Sequence, residues 1–251
     1  MLDTLAHLNE ISMLILSNFK ITYKRYMHKL VNFNNKMIGI LGPRGSGKTT
    51  FLLQYIQDND LPWKKKLYIT ADHSEIAGLK LYNIAREFHK QGGQLLIIDE
   101  IHKYKNFESE LKSIYDTFNL QVIFSGSSAI QLEHAKADLS RRAVLYRLNG
   151  LSFREFLELE TNIIFESYTL EDIINHHQDL ALHINQQIKP YEYFYDYLKY
   201  GFYPFYRENI ETYQIKLNET INTVLEVDLP MIFNVEPANI IKLKKLLNVI
   251  C

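Results

Sequence analysis

Residues 40–50 read ILGPRGSGKTT, and from Gly42 to Thr49 they fit the spacing G-x-x-x-x-G-K-[ST]. Glycines so placed let the backbone close round a tetrahedral anion with its N–H groups turned inward. A helix starting at the lysine adds its first amides and its dipole to the same pull. The flanks agree with this: the apolar run MIGIL (37–41) leads in, and KTTFLLQYIQ follows with a helical pattern. Strand, phosphate cradle and helix must therefore follow one another here, which few folds allow. The candidate phosphate-binding residues are Gly42, Pro43, Arg44, Gly45, Ser46, Gly47, Lys48, Thr49 and Thr50.

In such a cradle Lys48 reaches the β- and γ-phosphates and the Thr49 hydroxyl ligates Mg²⁺. Three further apolar runs follow: KLYIT (66–70), QLLIIDE (94–100) and LQVIFSG (120–126), with a weaker one, AVLYRL, at 143–148. Helix-like stretches such as GLKLYNIAREFHKQ and ESELKSIYDTF separate them. Short apolar strands alternating with helices predict an α/β fold, a parallel sheet covered on both faces, over residues 35–149. Ahead of it, residues 1–34 form an N-terminal helical segment in which Leu2, Leu5, Leu8, Ile11 and Ile15 recur at helical spacing. From Gly150 the strand signals stop, and residues 150–251 read mainly as helices. The tail IIKLKKLLNVIC ends inside a helical apolar pattern with no terminator, so the chain is expected to be cut short.

Leu95-Leu96-Ile97-Ile98-Asp99-Glu100 is an apolar strand ending in two carboxylates. Beside a phosphate cradle, Asp99 is the candidate for the Mg²⁺ shell and Glu100 for the base that orients and deprotonates a water. Ser125 and Ser127, in VIFSGSS, end the fourth strand; either is a candidate γ-phosphate sensor, and the alternative is an ordinary Ser/Gly turn. DLSRRAVLYRL carries Arg141, Arg142 and Arg147, and Arg142 is the candidate for neutralising phosphate charge in cis or in trans. No Asn-Lys-x-Asp motif reads guanine, since NNKM (34–37) lacks the Asp, so adenine is the expected base and ATP the expected nucleotide. Gly92-Gly93-Gln94 resembles a transporter-ATPase signature, but Gln94 abuts the acidic strand directly, which makes Gly92-Gly93 a turn.

GPRGSGKTT, LLIIDEIHK, FSGSSA and RRAVLYRLNGLSFREF in succession resemble the prokaryotic ATPases of the AAA+ superfamily. DYLKYGFYPFY (196–206) and EVDLP (226–230) are also similar to that group's lid segments. The resemblance implies a five-stranded parallel sheet of order 5-1-4-3-2, a three-layer P-loop NTPase followed by a helical lid, and often a C-terminal domain beyond. It also implies ATP hydrolysis at a site completed by the lid or by a neighbouring copy, which brings in a homo-oligomer and an unidentified protein or nucleic-acid client as expected partners. The group usually has Gly-Arg where Arg141-Arg142 stands. Two other readings stay open: a P-loop kinase for a small molecule, and a nucleotide-gated binding switch with slow hydrolysis.

Charge and composition exclude more than they assign. With 28 Lys+Arg against 29 Asp+Glu there is no global pull toward nucleic acid or anionic membrane. The single cysteine, Cys251, permits no intrachain disulfide. The N-terminus lacks a basic region, and its longest apolar run is Met13 to Leu16, so no signal peptide or membrane span is expected and the protein reads as cytoplasmic. Tyrosines and phenylalanines crowd YEYFYDYLKYGFYPFY (191–206), where only Lys199 is basic. Packing within a lid, or a partner surface, is the expected use, rather than base stacking. His176, His177 and His183 lack the i, i+4 spacing of a helical zinc site, so no metal beyond nucleotide-bound Mg²⁺ is expected.

Overall fold

A computed structural model of the protein describes residues 2–20, 23–126, 139, 141–230 and 236–250. Five strands, β1 (Met37–Leu41), β2 (Lys66–Thr70), β3 (Leu95–Asp99), β4 (Gln121–Gly126) and β5 (Val144–Arg147), form one sheet of order β2-β3-β4-β1-β5. Every pairing is parallel. The α/β fold and the strand order expected from the sequence are both found.

Helices α1 (Leu2–Asn18), α2 (Met27–Leu30), α3 (Lys48–Asp58), α4 (Leu81–Lys90) and α5 (Phe107–Thr117) accompany the sheet. Strand side chains alternate in direction, so each strand feeds two cores. Met37 and Leu41 of β1 join Leu96, Ile98 and Phe124 in one cluster, with Ile84 and Phe88 of α4 and Leu111 and Ile114 of α5. Ile38 and Ile40 join Ile97 and Ile123 in the other, with Phe51, Leu52 and Ile56 of α3. A sheet sandwiched in this way must be apolar on both faces, which is why its inner strands are near-continuous Ile/Leu/Val runs.

The two edges are closed differently. β5 is short and partly exposed, as edge strands often are. The β2 edge is covered by α1, whose buried Ser12 accepts a hydrogen bond from the Tyr68 backbone N–H at 3.1 Å, so a strand donor that the sheet leaves unpaired finds an acceptor.

By internal contacts the chain divides into two compact units, Met1–Asn149 with Leu217–Cys251, and Gly150–Lys216. The second begins with α6 (Phe153–Thr161), opened by a capping box in which Ser152 and Glu155 satisfy each other's backbone N–H. α7 (Leu170–Gln187) starts with the same device at Thr169 and Asp172 and is kinked at His176. α8 (Pro190–Asp196) runs into a π-turn, Tyr197–Gly201. Phe156 is the hub of this unit, with Tyr197, Tyr200 and Tyr206 around it at ring separations of 5.6, 6.1 and 5.4 Å. Much of the aromatic run at 191–206 is thus spent on packing, although Tyr191 and Tyr195 remain exposed. The last two described α-helices are α9 (Tyr213–Thr223) and α10 (Pro237–Ile250), the latter in the first unit.

Candidate active site

The site lies at the carboxyl ends of the strands, where open α/β sheets place their ligands. Strand register brings its parts together. Ile40 of β1 pairs with Ser125 of β4, Ile98 of β3 with Phe124 of β4, and Thr70 of β2 with Asp99. The loop leaving β1, the acidic end of β3 and the hydroxyl near the end of β4 therefore converge because β4 separates β1 from β3.

Two glycines of the loop are required by conformation: Gly45 has φ 82° and Gly47 φ 90°, a region L-residues avoid. Gly42 is required by space instead. A Cβ there would lie 2.0 Å from the Leu148 carbonyl oxygen, on the stretch that leaves β5 and donates from Leu148 N to Leu41 O at 2.6 Å. Gly47 caps α3, so Lys48 and the exposed Thr49 and Thr50 fall on its first turn. Lys48 is buried, and its Nζ donates to the Gly42 and Pro43 carbonyls at 3.0 and 2.9 Å. Burial pushes its pKa below the ordinary lysine value, against the opposing pull of Glu100 and Asp99.

Asp99 accepts from four donors. Thr49 Oγ1 lies at 2.6 Å, Tyr68 OH at 2.9 Å and the Glu100 N–H at 3.1 Å, and the Ser125 hydroxyl also donates to it. The Glu100 N–H is shared with Ser125 Oγ at 3.2 Å. Desolvation beside this carboxylate raises the Tyr68 phenol pKa far above its usual value. Glu100 itself sits in the left-handed region at φ 51°, ψ 38°. For a non-glycine residue this costs roughly 1 kcal/mol or more and persists only when surroundings hold it. Desolvation also raises the Glu100 carboxyl pKa, partly offset by Lys48. His102 Nδ1 stands 3.3 Å from Glu100 Oε2 without making a hydrogen bond, and burial lowers the imidazole pKa to about 4, so that ring is neutral near pH 7.

Buried polar atoms almost always find a partner, because leaving one bare costs about 1–3 kcal/mol. Among the described residues, the buried side-chain atoms without one are Arg44 Nε, Ser46 Oγ and Glu100 Oε2. All three belong to the glycine loop or to the acidic strand end beside it.

The structure thus gathers Lys48, Thr49, Asp99, Glu100 and Ser125 around the loop; Ser127 lies outside the described residues. It does not bring Arg142 there. Val144 pairs with Ile38 and Arg147 with Leu41, so Arg142 precedes the far end of β5, whose length alone separates the ends by about 10 Å. Arg142 instead grips Asp116 of α5 with two 2.9 Å bonds. An action on its own loop is corrected by this register. Three residues around the loop escaped sequence reasoning. Tyr68 was hidden in an apolar strand, Arg25 in a polar-aromatic lead-in, and Asp228 some 180 residues from its partner Arg44, 3.3 Å away. None of them carries a local spacing signal.

Strand order and the loop between β1 and α3 define a P-loop NTPase fold. Residues 34–157 match the family described as AAA domain. An uncharacterized protein, MJ1637, of Methanocaldococcus jannaschii is 32% identical over 184 residues, a match covering 66% of this chain and 39% of that protein. Among solved structures, a STAND ATPase with a tetratricopeptide repeat sensor from Pyrococcus horikoshii (PH0952) is similar at TM-score 0.45 and 14% identity, covering 74% of this chain and 29% of that one. The Hsp104–ADP complex of S. cerevisiae is similar at TM-score 0.44 and 15% identity, covering 63% and 26%. The chain therefore spans well under half the length of each of these proteins.

Proposed function

We propose that this chain binds ATP with Mg²⁺ at residues 42–50 and hydrolyses it, with turnover coupled to a protein or nucleic-acid client. The observation that carries this reading is the placement of the three unpartnered buried polar atoms, which supply donors and one acceptor where a polyphosphate and its attacking water belong. Lys48 turns from the Gly42 and Pro43 carbonyls to the β- and γ-phosphates. The oxygens of Thr49 and Asp99, 2.6 Å apart, suit a hard cation, and they are the residues that would hold Mg²⁺. Bound there, the ion neutralises charge on the phosphates. Glu100 orients the water and takes its proton, and Ser125 fixes both Asp99 and the Glu100 backbone. The helical region from Gly150 serves as lid, and the protein works in the cytoplasm; no described helix is long and apolar enough to cross a membrane. Phosphate release from ATP and Mg²⁺ with no acceptor added tests the reading. Steady release supports it, while none without a small-molecule acceptor favours a kinase.

One observation favours the second reading, a nucleotide-gated switch with slow hydrolysis. Arg44 pairs with Asp228, a carboxylate only 8% exposed, so an arriving phosphate competes with Asp228 for the same guanidinium. Nucleotide-dependent hydrogen exchange at residues 224–230, together with slow turnover, would mark that behaviour.

Arg142 in this reading acts on a neighbouring copy, since its own loop is at the other end of β5. Arg142→Ala should bind ATP with wild-type affinity, and mixing it with Glu100→Gln should restore part of the lost turnover. Concentration-independent turnover without rescue leaves Arg142 as the partner of Asp116 alone.

A further inference from the structure

We infer that Arg25 is a positioning residue for the phosphate cradle, holding the Ser46–Gly47 peptide in its binding orientation before any nucleotide arrives; this rests on the reading that residues 42–50 bind ATP. Arg25 lies 21 residues upstream of Ser46 and is 7% exposed. Its Nη1 donates to the Ser46 carbonyl at 3.0 Å and its Nη2 to the Asn149 carbonyl at 3.1 Å.

A peptide unit is planar and trans, so its C=O and N–H point in opposite directions. With the Ser46 carbonyl drawn toward Arg25, the Gly47 N–H must point away from it. Gly47 and Gly45 flank that region of the loop with positive φ, and glycine moves between left- and right-handed conformations at little cost. The freedom that lets this loop close round an anion also lets its peptides turn the wrong way. An external hold on the Ser46 carbonyl removes that alternative, and nucleotide then binds without first reordering the loop.

The hold is itself anchored. Asn149 directly follows Leu148, whose N–H is bonded to the Leu41 carbonyl at the end of β1. The segment bearing Arg25 is fixed to α3 on either side. Lys24 pairs with Asp58 at 2.5 Å, and His28 bonds Gln54 at 3.0 Å and stacks on Phe51 with ring centres 4.0 Å apart. A rigid planar fork spans the two carbonyls; a lysine ammonium, a single point on a flexible stem, does not reproduce it.

The experiment compares wild type, Arg25→Lys, Arg25→Ala and Lys48→Ala for ATP and ADP affinity by calorimetry, and for KM and kcat. Because the cradle direction affects ground and transition states alike, Arg25→Lys should weaken ATP and ADP equally, by about tenfold, and raise KM by as much. Its kcat should stay within about twofold of wild type. Methylguanidinium at millimolar concentration should restore part of the affinity to Arg25→Ala but none to Lys48→Ala. A folded Arg25→Lys variant with wild-type KM, or one that loses kcat while keeping KM, overturns the positioning role. A wild-type chain that binds no ATP defeats the reading of the loop itself, so the two failures are told apart. If Arg25→Ala does not fold, the Arg25→Lys comparison still decides.

Discussion

Glu100→Gln is expected to keep ATP bound while turnover falls by about 10²–10⁴-fold, the usual cost of removing a general base. The prediction comes from backbone as much as from side chain. Glu100 is held at φ 51° by its N–H bonds to Asp99 and Ser125, an arrangement that leaves Oε2 buried and unpartnered beside the loop. Glutamine keeps the shape but cannot accept a proton from water. The desolvation that a buried carboxylate suffers also disappears with the charge, so the variant should fold at least as stably as wild type. Single-turnover phosphate release alongside ATP affinity checks this. Wild-type turnover in the variant would move the base to another residue.

Lys48→Ala is expected to abolish the stabilisation of the protein by nucleotide. For a site that binds only the folded state, ligand at about 100 times Kd adds about 2.7 kcal/mol, enough to raise the melting temperature by several degrees. The alanine variant loses the lysine proposed to meet the phosphates, and it frees the Gly42 and Pro43 carbonyls that the ammonium now occupies. Its melting temperature should therefore not respond to ATP at concentrations that shift the wild type. An equal shift in both proteins would place the nucleotide elsewhere on the chain.

The sequence revealed whatever is encoded over short stretches. The five strands were legible because a parallel sheet covered on both faces needs uninterrupted apolar runs, and even the weak run at 143–148 carries β5. The loop was legible because Gly45 and Gly47 need a conformation that few other residues tolerate. Strand order came from the family likeness, since periodicity holds no information on which strands are neighbours. What stayed hidden depends on register and on contacts far apart along the chain. Arg142 has the composition of a phosphate-binding residue, yet the pairing of Val144 with Ile38 puts it at the wrong end of the sheet for its own loop. Tyr68 reads as one more core residue of β2 until Thr70 is seen opposite Asp99, which sets the phenol within reach of the carboxylate. Arg25 and Asp228 touch the loop from opposite ends of the chain.

The measurement that reaches the central claim most directly is calorimetric titration of the purified chain with a non-hydrolysable ATP analogue and Mg²⁺, repeated with Thr49→Ala and with excess chelator. One analogue should bind per chain, with affinity lowered both by the Thr49 substitution and by chelation, since Thr49 and Asp99 would share the ion. An affinity indifferent to both would contradict the metal assignment, and no binding at millimolar analogue would contradict the account as a whole.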